Sequence, residues 1–167
     1  MNIRRSTLAD IPAIMLIVKE AVPLMQAAGN FQWNDTYPNP EAFSQDIALN
    51  QLWVAEIDNR VVGASAITSE QYPEYAQAGL DINEPAIVTH RLVVSPKHRG
   101  QGIAEALLLE AEFEAGRQNI PLLRIDTNKE NTAAQKLFMK LGYVFAGEIG
   151  LAFRPGMRFV CLEKKLS

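Results

Sequence analysis

The sequence predicts an α/β fold of the mixed α+β kind, with one mixed sheet carrying helices on its faces. Three observations predict it. Short apolar, β-branched runs alternate along the chain with longer segments whose apolar residues recur three and four positions apart. In "THRLVVSPKHRGQGIAEALLLEAE", Thr89 to Glu112, such a run passes through a proline and a basic glycine loop into strong helix formers. Across 167 residues, 48% are hydrophobic and 21% charged, the balance of a globular chain able to bury one substantial core.

Each element can be justified in order. "NIRRST" reads as a first strand. Ser6 or Thr7 can cap the next helix, with Asp10 in its first turn and Pro12 where proline is tolerated. Ile11, Ile14, Met15, Val18 and Val22 give that helix its apolar stripe, and Pro23 is expected to end or kink it. "GNFQWNDTYPNPE" is a loop by its Gly, Asn and Pro content, yet it carries Phe31, Trp33 and Tyr37. Pro40 opens a second helix, "PEAFSQDIALNQ". "LWVAEIDNRVVGASAIT" reads as a hairpin about Asp58 and Asn59, both tolerant of positive φ.

"EQYPEYAQAGLDINEP" is polar and proline-bounded, and is expected to be a loop. "AIVTHRLVV" is a strand, and the glycine loop then leads into a helix from about Gly102 to Gln118. "LLRIDTN" is the next strand. Ala134, Leu137, Phe138 and Leu141 mark one stripe of a further helix, with Gly142 placed to cap it. Strands near "YVFAGEI" and "RFVCLEKKL" finish the chain. The order is β-α-α-β-β-β-α-β-α-β-β, with no repeat or linker, so residues 1–167 are expected to form one domain.

The bulk numbers exclude several roles. A net charge of −3 argues against nucleic acid as a partner, since duplex binding needs a broad cationic face. No run approaches a membrane span and no signal-peptide segment is evident, so no membrane partner is expected and the location expected is cytoplasmic. The single cysteine, Cys161, excludes an internal disulfide and suits a buried place on a strand. No metal site is expected, and pairing into a homodimer is left open.

The glycine loop carries the chemistry. A helix N-terminus presents free N–H groups and the positive end of its dipole, and glycines before it let backbone approach an anion. "RGQGIA", Arg99 to Ala104, supplies these parts after a strand: Gly100 and Gly102 for close approach, Arg99 for charge, Ala104 for a slim first turn. A glycine-eased turn with solvated cations is the plainer alternative. Neither GxxxxGK[ST] nor GxGxxG is matched, so the loop belongs to another phosphate-binding class.

"RLVVSPKHRGQGIAEALL", followed by "LRIDTNKENTAAQKLFMKLGYV", resembles the GNAT superfamily of N-acetyltransferases. Arg99, Gly102 and Ala104 match its Q/R-x-x-G-x-G/A loop. Asn131 matches the Asn that opens its next helix, and Gly142–Tyr143 its "GF" or "GY" step. The element order is also the family's, so the likeness spans most of the chain. It implies acetyl-CoA as co-substrate and transfer of its acetyl group to the primary amine of a small-molecule or peptide acceptor. The diphosphate would lie on the amides of Arg99, Gly100, Gln101, Gly102, Ile103 and Ala104. The pantetheine arm would pair with Leu92, Val93 and Val94 like an added strand, with Asn131 and Phe138 beside it. Asn131 could equally cap its helix.

Acetyl transfer needs a neutral amine, a donor for the oxyanion and a proton or its equivalent for the departing thiolate. The resemblance implies the N–H of Leu92 or Val94 as donor. Many family members use a Tyr as acid where this chain has Phe138, leaving Tyr143 as the nearest phenol. His90 is the candidate base, its unperturbed pKa of about 6.5 suiting neutral pH, although strand alternation groups residues 90, 92 and 94 on one face. Glu56 could order a water instead, and His98 would meet phosphate or solvent. Trp33, Asp35 and Tyr37 would line the acceptor pocket, with Asp35 able to hold an ammonium. A non-catalytic acyl-CoA sensor is the alternative function, and Phe138 is what favours it.

Overall fold

A computed structural model describes residues 1–167. Seven strands form one sheet in the order β1-β2-β3-β4-β5-β7-β6. They are β1 (Asn2–Arg5), β2 (Leu52–Ile57), β3 (Arg60–Thr68), β4 (Ile87–Val94), β5 (Leu122–Asn128), β6 (Val144–Ile149) and β7 (Phe159–Lys165). The helices are α1 (Ile11–Ala27), α2 (Pro40–Ala48), α3 (Ile103–Arg117) and α4 (Thr132–Lys140). All neighbours are antiparallel except β4 and β5. That parallel pair needs a crossover, and α3 supplies it.

Alternation along the strands sorts the core into two faces. Trp53, Ala55, Val62, Ile87, Leu123 and Ile125 pack with the buried residues of α3 and with Phe138 of α4. Their strand neighbours Leu52, Val54, Ala64 and Val93 pack with α1 and with Phe43 of α2. Beyond them on that second face, Tyr75, Val88, Leu151, Phe159 and Cys161 form a smaller cluster.

The β2–β3 hairpin turns at Asp58 and Asn59 with φ of 51° and 61°, both in the left-handed region where these two residues cost least. Two expectations need correction. Pro23 lies inside α1 and the helix continues to Ala27. Packing of its stripe, with Ile14, Val18, Ala21 and Val22 all buried, outweighs one lost ladder bond. The 70–85 segment is more than a loop: Pro73–Ala78 forms a 3-10 helix that buries Tyr75 completely.

That segment is fixed by Arg124 of β5, whose side chain is 2% exposed. Its guanidinium donates to Gln71 Oε1 at 2.6 Å and to the Asp81 carbonyl at 2.8 Å. It also pairs with Glu163 at 2.8 Å and Glu84 at 3.2 Å. Hydrogen bonds from every one of its three nitrogens, two of them to carboxylates, are what permit a buried guanidinium.

Close approach of α3 to the sheet depends on Gly63. A Cβ there would meet Ile103 Cγ2 at 2.8 Å and the Val93 carbonyl oxygen at 3.1 Å. Gly63→Ala is therefore expected to destabilise the fold by about 1–3 kcal/mol, the range for overpacking. Urea denaturation checks this. An unchanged midpoint would mean that α3 can retreat freely.

Candidate functional site

The geometry begins where β4 and β5 part. Their pairing runs through Ile87–Leu123, Val88–Arg124 and Thr89–Ile125, then stops. Residues 90–94 of β4 have no partner on β5 and form one wall of a cleft of about 650 Å³. The opposite wall includes Asp126 and Thr127 of β5 and Asn131, Ala134 and Phe138 at α4.

A bulge shapes the first wall. Ala64 pairs with Val93 and Ala66 with His90, so Ser65 faces two residues, Arg91 and Leu92. Arg91 takes up the extra residue at φ 51°, a strained conformation for a non-glycine. Buried Asp46 and half-buried Tyr37 hold it there. Arg91 Nε donates to Asp46 Oδ2 at 2.7 Å and Nη2 to Oδ1 at 2.6 Å, a bidentate pair with α2. Arg91 Nη1 donates to Tyr37 Oη at 3.2 Å.

The bulge also corrects the facing expected from alternation. His90 and Arg91 both turn to the α1–α2 side, while Leu92 and Val94 pack toward α3. His90 sits edge-on to Tyr72, with centroids 4.9 Å apart, and its Nε2 lies 3.3 Å from the Glu70 carbonyl. Burial, and then the Arg91 cation, push its pKa down to about 4, well below the value expected of a base matched to neutral pH.

At the end of the split lies the glycine loop. Gly100 and Gly102 have φ of 77° and 76°, and a Cβ at either would meet nothing within 4 Å. Both are therefore glycines for their backbone conformation and for the space above them. Gly102 is the N-cap of α3 and offers no side-chain cap, so the first amides of the helix stay free. Arg99, Gly100 and Ala104 line the cleft, whereas exposed Gln101 and Gly102 and buried Ile103 do not. His98 is tied to Ser95, Nδ1 to Oγ at 3.1 Å.

The structure brings together Leu92, Val93, Val94, Arg99, Gly100, Ala104, Asn131, Phe138, His90, Trp33 and Tyr37 around one cleft. Asn131 also caps α4, accepting from the Ala134 amide at 3.2 Å and donating to Thr127 Oγ1 at 3.1 Å. Trp33 is 5% exposed and packs on the α1 core as well as lining the cleft. Its loop is pinned across the opening, with Gln32 Oε1 accepting from the Asn128 amide at 2.9 Å. Arg154 donates to the Gln32 carbonyl at 2.9 Å and lies over Tyr37.

Others fall outside. Asp35 is exposed on the loop and does not line the cleft. Tyr143 is buried in the α3 core, 6.0 Å from Phe138 by ring centroid, and its hydroxyl has no partner. Burial raises its pKa, which makes it a poorer proton donor still. Glu56 is occupied by Asn2 at 2.9 Å and Arg4 at 3.2 Å, and these hold its carboxylate below the usual range. Cys161 is fully buried, and burial raises its thiol pKa.

Sequence reasoning missed Asp126, Tyr72 and Tyr75. Asp126 lines the cleft and accepts a 2.5 Å hydrogen bond from Tyr75 Oη. Burial raises its pKa to about 6, the tyrosine's hydrogen bond opposing in part. The available signal was the alternation of Arg124 and Asp126, two charges on one face of an otherwise apolar central strand.

The comparisons with known proteins agree with this arrangement. A family model described as an acetyltransferase (GNAT) domain matches residues 48–145. N-acetyltransferase 8F1 of Rattus norvegicus is 32% identical over 101 residues, 60% of this chain but only 42% of the rat protein. The 5-NmdU N-acetyltransferase of Pseudomonas phage PaMx11 is 24% identical over 141 residues, covering 80% of this chain and 91% of that one. Among solved structures, a GNAT-family acetyltransferase from Streptococcus agalactiae superposes with a TM-score of 0.84 at 27% identity, covering 99% of this chain and 95% of that one. With a family match over more than half its length, and a split sheet opening onto a glycine loop, the chain belongs to the GNAT acetyltransferase family.

Proposed function

We propose that this protein transfers the acetyl group of acetyl-CoA directly to a primary amine of a small-molecule or peptide acceptor. The observation that carries the reading is the end of β4–β5 pairing at Thr89, which leaves residues 90–94 edge-exposed beside a loop of two left-handed glycines. An open strand edge is what an arm bearing two amides can pair with. The amides of Arg99–Ala104 are the seat for the diphosphate, with Arg99 supplying charge. Gln101, Gly102 and Ile103 contribute there through backbone alone. Leu92, Val93 and Val94 hold the arm, a backbone N–H at 92 or 94 faces the developing oxyanion, and Asn131 and Phe138 close the far wall.

Trp33 and Tyr37 bound the acceptor side. Asp35 and Tyr143 receive no role, because neither reaches the cleft. Phe138 has no proton to give, so the thiolate is protonated by the proton the amine loses or by solvent. Cys161 is too deeply buried to form an acyl-enzyme, which leaves direct transfer in a ternary complex. A cytoplasmic location and one domain over residues 1–167 fit this reading, and no helix is long and apolar enough to cross a membrane.

Two measurements on the whole chain test it: calorimetric titration with acetyl-CoA, and thiol release with a panel of amines. Saturable binding with acetylated product is the expected result. Binding with no product from any amine would favour a cofactor sensor. Absence of binding would remove the reading altogether.

A further inference from the structure

The proton lost by the acceptor needs somewhere to go. An ammonium group has a pKa near 10.4 for a lysine-like amine, so at neutral pH nearly all acceptor arrives protonated. A base suited to it should attract the cation, reach it, and hold a proton near the working pH. His90 meets none of these well. Its ring lies against Tyr72, its Nε2 faces the Glu70 carbonyl, and the neighbouring Arg91 cation repels an ammonium.

Asp126 is placed differently. It stands on β5 one residue past Ile125, the last residue paired with β4, so it lies at the mouth of the split. It faces the same side of the sheet as Tyr75 and Cys161, the side to which His90 and Arg91 also turn. Tyr75 Oη holds Oδ2, while the other oxygen, Oδ1, takes no hydrogen bond from the protein and is open to the cleft. No cation forms an ion pair with it. Arg124 is committed to Glu163 and Glu84 and Arg91 to Asp46, while Arg154 of the cleft spends Nε and Nη1 on the carbonyls of Gln32 and Phe153 and keeps Nη2 without a partner. A carboxylate in the cleft with which no cation of the protein forms an ion pair is a natural place for one to bind.

We propose that Asp126 accepts the proton of the acceptor's ammonium group through Oδ1, with Tyr75 fixing the carboxylate through Oδ2. This rests on the acetyl-transfer reading above. In the balanced step, the ammonium N–H breaks and its proton passes to Asp126. The freed nitrogen pair forms the C–N bond to the thioester carbonyl carbon, and the C–S bond breaks. The thiolate takes a second proton from the same nitrogen, and Asp126 releases its own to solvent. The net change is one amide, one thiol and one proton.

The titration of Asp126 supports this assignment. The ionisable groups around it are Tyr75 of the 3-10 helix and Tyr72 just before it, Cys161 of β7, Arg124 two residues back on β5, and His90, Arg91 and Arg154 of the cleft. Burial dominates and raises the carboxyl to about 6. The sign is that of a raised carboxylate. Ionisation costs folding stability above the unfolded pKa near 3.9, and that cost is complete above pH 6. Removing the charge should therefore stabilise the protein at pH 8 and leave it unchanged at pH 3.5.

The test is Asp126→Asn, which keeps an oxygen for Tyr75. Acetyl-CoA binding is read by calorimetry, alongside melting temperature at pH 8 and pH 3.5, and turnover with spermidine, free L-amino acids, a tetrapeptide with a free N-terminus, and hydrazine, a large share of which is already neutral at pH 8. The variant is expected to bind acetyl-CoA within about twofold of the parent, to melt higher at pH 8, and to lose ~10²–10⁴-fold in kcat/KM with protonated amines. The parent's acid limb near pH 6 should vanish. With hydrazine the loss should be under about tenfold, and Asp126→Glu should recover part of the rate. Equal turnover by parent and variant, or equal losses with hydrazine and with protonated amines, would overturn the assignment while leaving acetyl transfer intact. Absence of acetyl-CoA binding or of any product with the parent would instead overturn the acetyl-transfer reading, and this assignment with it.

Discussion

Replacing Gly102 with tryptophan is expected to raise the dissociation constant for acetyl-CoA at least ~100-fold while the fold survives. The cause is local. Gly102 holds φ at 76° at the N-cap of α3, and the space where its side chain would project is open. In the proposed complex that space belongs to the diphosphate. Losing two charge-assisted hydrogen bonds at about 1.5 kcal/mol each gives roughly 3 kcal/mol, hence the factor of ~100. Folding loses about 1–2 kcal/mol from forcing a side chain into the left-handed region. Gly102→Ala separates the two effects: it carries the backbone strain with little bulk, so it should bind better than the tryptophan variant. Calorimetry reads the affinity and thermal melting the fold.

The second large effect concerns a contact outside the cleft. Asp46→Ala is expected to cost about 3–5 kcal/mol, because it leaves the Arg91 guanidinium buried with only Tyr37 Oη as partner. For a chain of this size the melting temperature should fall on the order of 10 °C. Function should suffer too. The pair holds Arg91 at φ 51°, and this conformation sets the bulge that turns residues 92–94 toward the open edge. Asp46→Leu with Arg91→Met removes both charges and should recover much of the stability, since no ion is left unpaired. Affinity for acetyl-CoA is expected to stay weak in that double variant, because the bulge has lost its tether. Full recovery of both would show that the ion pair serves stability alone.

How much of this was legible in the sequence depended on how local each cause is. The order of strands and helices came from periodicity and punctuation, which are local, and so did the Asp58–Asn59 turn and the Gly100–Gly102 loop. The bulge was not legible. Nothing in "THRLVV" marks Arg91 for positive φ, because the reason lies 45 residues away at Asp46. His90 was accordingly placed with Leu92 and Val94, and the extra residue reverses that. Tyr75 reads as part of a polar loop, and only the buried Arg124, which fastens that segment to the sheet, shows why it is inside. Asp126 could have been found by asking where a carboxylate in a central strand meets its counter-ion. Pro23 erred in the other direction: a strong local signal yielded to the buried stripe of α1.

The most direct measurement is a crystal structure of the whole chain soaked with coenzyme A. Density for the diphosphate is expected against the amides of residues 99–104, with the thiol-bearing arm running along residues 92–94 toward Asp126. A molecule bound elsewhere, or a split between β4 and β5 closed by the protein's own side chains, would contradict it.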